Sequence, residues 1–321
     1  MEPVHITVVI VLITAAVLGI YVSNKTVDQD VYVKRDLVNL DMDNTTLWLY
    51  YDQSDVNNRW WADFGARSSR VLNKPYLNLC YESIVTYTKQ FYNIRVLAGL
   101  SDVAILLGGW DQLPKPLQNP IAHVGEAELN YIRARILKQF GGLWVNPSTI
   151  FINPLPDFTE QENVIFFGTD KDETYASSSG THVPGTNIMF SPCVDNEIFV
   201  ELEKLALQRI TNSQGGKQFR HDIKWDLLEV KERCNTSIAY ISDLEFARKQ
   251  NGRRIQLEDL LINDVIPIPN RVVYVPIDDI ELEERRNFGW FLRMSEEQIL
   301  ESSLFISELF KISKRHNIII A

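Results

Sequence analysis

The chain opens with a run of 17 uncharged, mostly apolar residues, Ile6–Val22. At about 1.5 Å of rise per residue this is near the lower limit for a helix that crosses a bilayer. "MEPVH" ahead of it carries no basic residue, and no small-x-small site follows, so the pattern predicts a retained transmembrane anchor rather than a cleaved leader. Residues 23–46 are polar without a sustained period and read as a stem. The periodic part begins at "LWLYYDQS" (Leu47–Ser54), an apolar run closed by polar residues, which predicts a buried first strand.

"KPYLNLCYESIVTYTKQF" then puts apolar residues at helical spacing, with Pro75 in the opening turn, and "YNIRVLAG" reads as a second strand closed by Gly99. The segment 101–120, interrupted by Gly108, Gly109, Pro114, Pro116 and Pro120, reads as a connection. A helix over Glu126–Phe140 ends at Gly141-Gly142, and "LWV" is a short buried strand that leads into "TIFINPLP". "NVIFFG" and "TNIMFSP" read as strands on either side of the polar stretch 169–185, which is a plain connection or a lid over a substrate. "DNEIFVELEKLALQRI" is an amphipathic helix capped at Asp195 or Asn196. "IDDIELEERR" reads as a solvated helix face and "SEEQILESSLFISELFKISKRH" as one helix. Strand–helix–strand order predicts an α/β fold with a mostly parallel central sheet flanked by helices. Residues 47–240 form its main domain, and 241–321 form a helical extension packed on it.

Composition changes this picture little. With 45% hydrophobic, 11% aromatic and 23% charged residues among 321, the chain is globular. The net charge of −10 speaks against a nucleic-acid partner. Cys80, Cys193 and Cys234 lack CxxC spacing, which speaks against zinc, and their low density excludes a disulfide scaffold, while one disulfide or three buried thiols both stay open. Lys25, Lys34 and Arg35 follow the apolar run and favour a cytoplasmic C-terminal side, whereas sequons at Asn24, Asn44 and Asn235 point outward.

The candidate chemistry sits where a strand runs into a turn just after Gly141-Gly142. In open α/β sheets the carboxyl ends of the strands face the crevice that takes nucleotides. Transfer of a sugar from a nucleotide needs the leaving diphosphate neutralised, by a carboxylate-held metal or by basic side chains. "LWLYYDQS", "LCYES", "ELNYIRARILKQFGGLWVNPSTIFINPLP" and "GTNIMFSP", in that order over residues 47–230, resemble the capsular-polysaccharide-synthesis-type glycosyltransferases. These stand within the DXD-bearing sugar transferases that include initiating mannosyltransferases.

The resemblance implies a GT-A-like nucleotide-diphospho-sugar transferase fold, with the C-terminal domain luminal (ER/Golgi-type) or extracytoplasmic. It implies a nucleotide-sugar donor, a glycan or glycolipid acceptor, and Mn2+ or Mg2+ as the metal. Arg133 matches the family's arginine and would neutralise phosphate; Asn146 and Ser148 stand in the metal turn and would hold metal or sugar hydroxyls; Asn130 would bond the sugar. Asn187 falls in the matching donor-side strand, and a histidine near His221 would approach phosphate or metal, although "FRHDIKWDLL" reads by itself as a helix start with His221 on the surface. Asp52 and Tyr50 end the first strand and would meet the nucleoside, Tyr50 and Trp48 by stacking; a loop cap for Asp52 and core packing for Trp48 and Tyr50 fit equally. Two family aspartates are replaced, by Asn130 and Asn146, which removes charge and keeps shape. The resemblance therefore leaves two expectations: a hexosyltransferase with a weakened metal site, or an inactive relative that binds nucleotide-sugar or glycan.

Overall fold

From Leu47 to Tyr51 every residue of the first strand is buried, which requires cover on both faces of the sheet. The period of two sends Leu47, Leu49 and Tyr51 into one core, with Trp48 and Tyr50 into a second on the opposite face. This is seen in a computed structural model that describes residues 45–52, 55, 72–167, 169–170, 183–212, 226–227, 229–230, 233–234, 238–241, 248–251 and 253–320.

In chain order the main elements are β1 (Thr46–Tyr51), α1 (Pro75–Thr88), β2 (Asn93–Ala98), α2 (Leu100–Leu107), α3 (Glu126–Phe140), β3 (Gly142–Val145), β4 (Thr149–Phe151) and β5 (Val164–Phe167). They continue with β6 (Thr169–Asp170), β7 (Val183–Pro184), β8 (Ile188–Ser191), α4 (Glu197–Asn212), β9 (Ile238–Ile241), α5 (Leu257–Leu260), β10 (Tyr274–Pro276), α6 (Asp279–Glu284), α7 (Glu296–Glu301) and α8 (Phe305–Ile320). The central sheet has the order β2-β1-β3-β8-β5-β9. β2, β1 and β3 run parallel, β5 and β9 run parallel, and β8 lies antiparallel between β3 and β5. The expected mixed α/β architecture with a mostly parallel sheet is therefore present. β4 and β10 pair antiparallel beside it.

α2, α3 and α4 cover the face that carries Trp48 and Tyr50; α1, α5, α7 and α8 cover the other. α3 and α4 are joined by Glu203, which accepts from Arg135 at 3.0 Å and Lys138 at 2.7 Å. Asn196 caps α4 by accepting the Ile198 N–H at 3.1 Å, and Asp195 before it turns with φ 52°. At the end of α3, Gly141 and Gly142 take φ of 65° and 91°. The second also needs to be glycine for space, since a Cβ there would stand 2.3 Å from the Thr46 carbonyl oxygen.

Three expectations need correction or completion. The segment read as a connection contains α2, with Asp102 accepting the Ala98 N–H at 2.9 Å and Gly108 closing it in the left-handed region. The C-terminal helix is two helices, because Ser302 leaves helical geometry and its hydroxyl turns to Ile299 and Ser307. All three cysteines are free thiols, and Cys193 is exposed rather than buried. No helix among the described residues is long and apolar enough to cross a membrane. The apolar run 6–22, residues 23–44 of the stem, the sequon asparagines and most of the stretch 169–185 lie outside the described residues, and Thr46 at the stem's end begins β1.

Candidate functional site

β1 connects to β2 on one side and has β3 on the other, so the chain changes direction across the sheet between β1 and β3. Such a switch point opens a crevice at the carboxyl ends of its two strands. Here a cleft of about 1670 Å³ lies at that place. Tyr50, Tyr51 and Asp52 from the end of β1 line it, with Asn146, Pro147 and Ser148 from the end of β3. Arg133 and the Gly185–Asn187 segment before β8 also face it.

The β3 turn is tied down from several directions. The Asn146 N–H donates to the Asn187 carbonyl at 2.7 Å, which joins the turn to β8. The Asn146 side-chain oxygen accepts from the Ser148 N–H at 3.1 Å, the local turn bond that asparagine favours. Ser148 is buried, with its hydroxyl 3.3 Å from that of Tyr76, and its carbonyl accepts from the Ile277 N–H at 2.8 Å. That last bond places the β10–α6 connection directly beside the turn.

Arg133 is 8% exposed and donates from Nη1 to the Thr186 carbonyl at 3.3 Å. Asn130 lies one helical step before it on the same face of α3. It is buried, its side-chain oxygen finds no partner among the described residues, and it stands behind the cleft lining. Tyr50 is 5% exposed, yet it lines the cleft and its hydroxyl has no partner among the described residues. Burial, then Asp52 and Asp55, drive its ionisation far above the usual phenol range, so it stays a neutral donor.

The sequence-derived set thus largely converges: Tyr50, Asp52, Arg133, Asn146, Ser148 and Asn187 share one cleft. Asn130 is a buried neighbour, and His221 lies outside the described residues. Base stacking by Trp48 is corrected. Its ring is fully buried against Phe140, and its indole N–H donates to the Gly141 carbonyl at 2.9 Å. The donor set at the β3 turn does not fit a tightly held divalent cation. Asn146 offers a neutral oxygen already used by Ser148, the Ser148 hydroxyl meets Tyr76, and the next acid, Asp157, is exposed and bonds Thr159. Among the described residues no three His, Cys, Asp or Glu side chains group as a metal site.

Sequence reasoning missed the acidic wall beside the β3 turn. Lys74, at the start of α1, pairs with Asp55 at 2.5 Å and with Glu283 of α6. Asp279 lines the same cleft, and burial, then Glu283 and Asp278, push its carboxyl up to about 6 while Lys74 opposes the shift. The "IDDIELEERR" segment is thus only partly a solvated face. Asp278 is the exposed cap, bonding the Glu281 N–H at 2.8 Å, and Asp278, Asp279 and Glu283 all line the cleft, the last two one helical turn apart. The Asp-x-x-Glu cap that starts α6 and spaces these two carboxylates was readable in the sequence, but the side they face was not. Along the described lining, acidic side chains outnumber basic ones.

No family model matches the chain, and no curated protein matches it. Among solved structures, one similar chain is the crystal structure of a glycosyltransferase involved in the glycosylation of the major capsid of PBCV-1. The identity is 12%, the match spans 72% of this chain and 94% of that one, and the TM-score is 0.37. A likeness this loose carries no argument about the activity.

Proposed function

We propose that this chain is a glycosyltransferase that moves a hexose from a nucleotide-sugar donor to a glycan or glycolipid acceptor. It is anchored through residues 6–22, with its C-terminal domain on the luminal or extracytoplasmic side. The observation that supports this is the joint presence, at the β1–β3 switch point, of Tyr50 and Asp52 on one side and Asn146 and Ser148 on the other, with Arg133 beside them. In this reading Tyr50 and Asp52 meet the nucleoside, and Arg133 neutralises the diphosphate as the bond to the sugar breaks. Asn146 and Ser148 orient sugar hydroxyls, and Asn187 fixes the turn that carries them. Asn130 holds the helix face behind Arg133. No step is routed through a metal, since the β3 turn lacks the charge to hold one firmly.

A second reading has its own support. The two neutral asparagines and the acidic excess of the cleft both weaken stabilisation of a leaving diphosphate, which favours a protein that binds nucleotide-sugar or glycan without turnover. Titration of the full-length protein in detergent with UDP-glucose and GDP-mannose, with and without Mn2+, separates the two when nucleotide release is followed alongside binding. The transferase reading predicts binding with release by the native chain. It further predicts that Asn146→Asp, which keeps the bond to Ser148 and adds a charge, makes release Mn2+-dependent and about tenfold faster. Binding without release in the native chain selects the second reading. No binding of either donor counts against the transferase reading and leaves only the glycan-binding form of the second.

A further inference from the structure

Beyond the cleft the surface holds a second, open groove of about 770 Å³, to which the donor chemistry gives no task. We propose that this groove binds the outer sugars of an oligosaccharide acceptor, with Trp290 as the stacking platform, while the chain's terminal sugar enters the cleft. This rests on the reading above only in taking the cleft as the place where the glycan ends.

Three observations carry this. The first is continuity. Two segments line the cleft and then, within a few residues, the groove. Ile255–Glu258 face the cleft, and Leu261–Asn263, at the end of α5, face the groove. Glu283–Arg285 face the cleft, and Trp290 and Met294 face the groove. The Arg285 guanidinium pairs with the Glu258 carboxylate, so the two segments are joined at one rim that the cleft and the groove share. A chain of linked sugars crosses such a rim in a short step, since a helical turn rises only about 5.4 Å.

The second is the chemistry of the lining. Trp290 is 45% exposed, and no other aromatic side chain among the described residues is as open to solvent. Ile262 and Met294 add to the apolar surface, while Asn263, Glu301 and Ser303, all exposed, bring hydrogen-bonding groups to the same groove. A sugar carries C–H groups on its faces and hydroxyls around its edge. It therefore matches an aromatic face set among a few polar side chains. A lipid tail or an apolar helix would instead strip water from Asn263 and Glu301 and return no hydrogen bond.

The third is rigidity. The Trp290 ring meets the buried Phe291 edge-on, with centroids 6.1 Å apart, and Phe291 packs on Tyr76 at 5.7 Å. The Phe305 N–H donates to the Ile262 carbonyl at 2.9 Å, which pins the end of α5 to the start of α8. Between α7 and α8 the Ser302 hydroxyl is held by Ile299 and Ser307. A lining fixed in this way has little freedom left to lose when it captures a flexible chain.

The test uses the full-length protein in phosphatidylcholine nanodiscs, which avoids sugar-headed detergents. Maltohexaose, cellohexaose, mannohexaose and chitohexaose are the probes, titrated by calorimetry beside UDP-glucose and GDP-mannose. Native protein should bind at least one hexasaccharide. Trp290→Ala should weaken that binding about tenfold or more, as loss of a central tryptophan does, and leave donor binding within about twofold. Trp290→Tyr should recover most of the affinity. Asn263→Ala, an exposed change that spares the aromatic packing, should weaken it about threefold through a lost hydrogen bond. Hexasaccharide binding indifferent to these substitutions, or no binding of any probe, overturns the inference. Trp290 fluorescence quenched by brominated phosphatidylcholine would give the groove to lipid, and a native dimer split by Trp290→Ala would give it to a second copy; either overturns it too. Donor binding in the same samples keeps these failures apart from failure of the transferase reading. Trp290-dependent hexasaccharide binding without donor binding would remove that reading and leave the groove as a glycan site.

Discussion

Gly142 shows how one residue ties the site to the core. It starts β3 at φ 91°, and any side chain there would run into the Thr46 carbonyl on β1. Gly142→Ala should cost about 3 kcal/mol or more, combining left-handed strain with overpacking, read as a lowered denaturant midpoint. An unchanged midpoint would mean that β1 and β3 can separate without penalty, and then the switch point is not the rigid frame described. Residues of this kind were legible in sequence, because a Gly-Gly pair after an amphipathic helix has few other uses. Trp48 was less so. A tryptophan on a nucleotide-side strand suits stacking or core equally, and only its indole bond to Gly141 decides the matter. Asp279 was not legible as a cleft residue, since a carboxylate within an acidic run reads as solvated until the facing wall is known.

At the scale of elements, pattern served well where period and caps agreed. α3 falls on the residues its periodicity outlined, and α4 starts behind the Asn196 cap. α2 was hidden because its eight residues stand among glycines and prolines, which weigh more heavily than a short apolar period. The break between α7 and α8 was hidden for the opposite reason, as "ESSLF" carries neither glycine nor proline and the helix ends through serine bonds. α3 and α4 share one partly buried carboxylate, Glu203, which serves two cations. Glu203→Gln should therefore destabilise by about 2 kcal/mol, between the exposed and buried limits for ion pairs, and the loss should shrink as salt is added. A loss below about 0.5 kcal/mol would show that helix packing alone joins the pair.

For the whole molecule, the cleft exists because two cores pack on opposite faces of one sheet and leave its switch point open. Residues beyond 241, which resembled nothing by sequence, supply β10 beside β4 and α6 along the cleft wall. Their role depends on long-range pairing, which local pattern does not encode. The donor half of the site was legible because it sits within the helix–Gly-Gly–strand block; the acidic half comes from a segment more than 100 residues later. The central claim is that the β1–β3 crevice takes a nucleotide-sugar, and the most direct measurement is calorimetric titration of full-length native and Arg133→Gln protein with UDP-glucose and GDP-mannose. Binding of at least one donor by the native chain, weakened about tenfold or more by loss of the guanidinium, is the predicted result. Binding that is indifferent to Arg133→Gln, or no binding by a folded native chain, would contradict it.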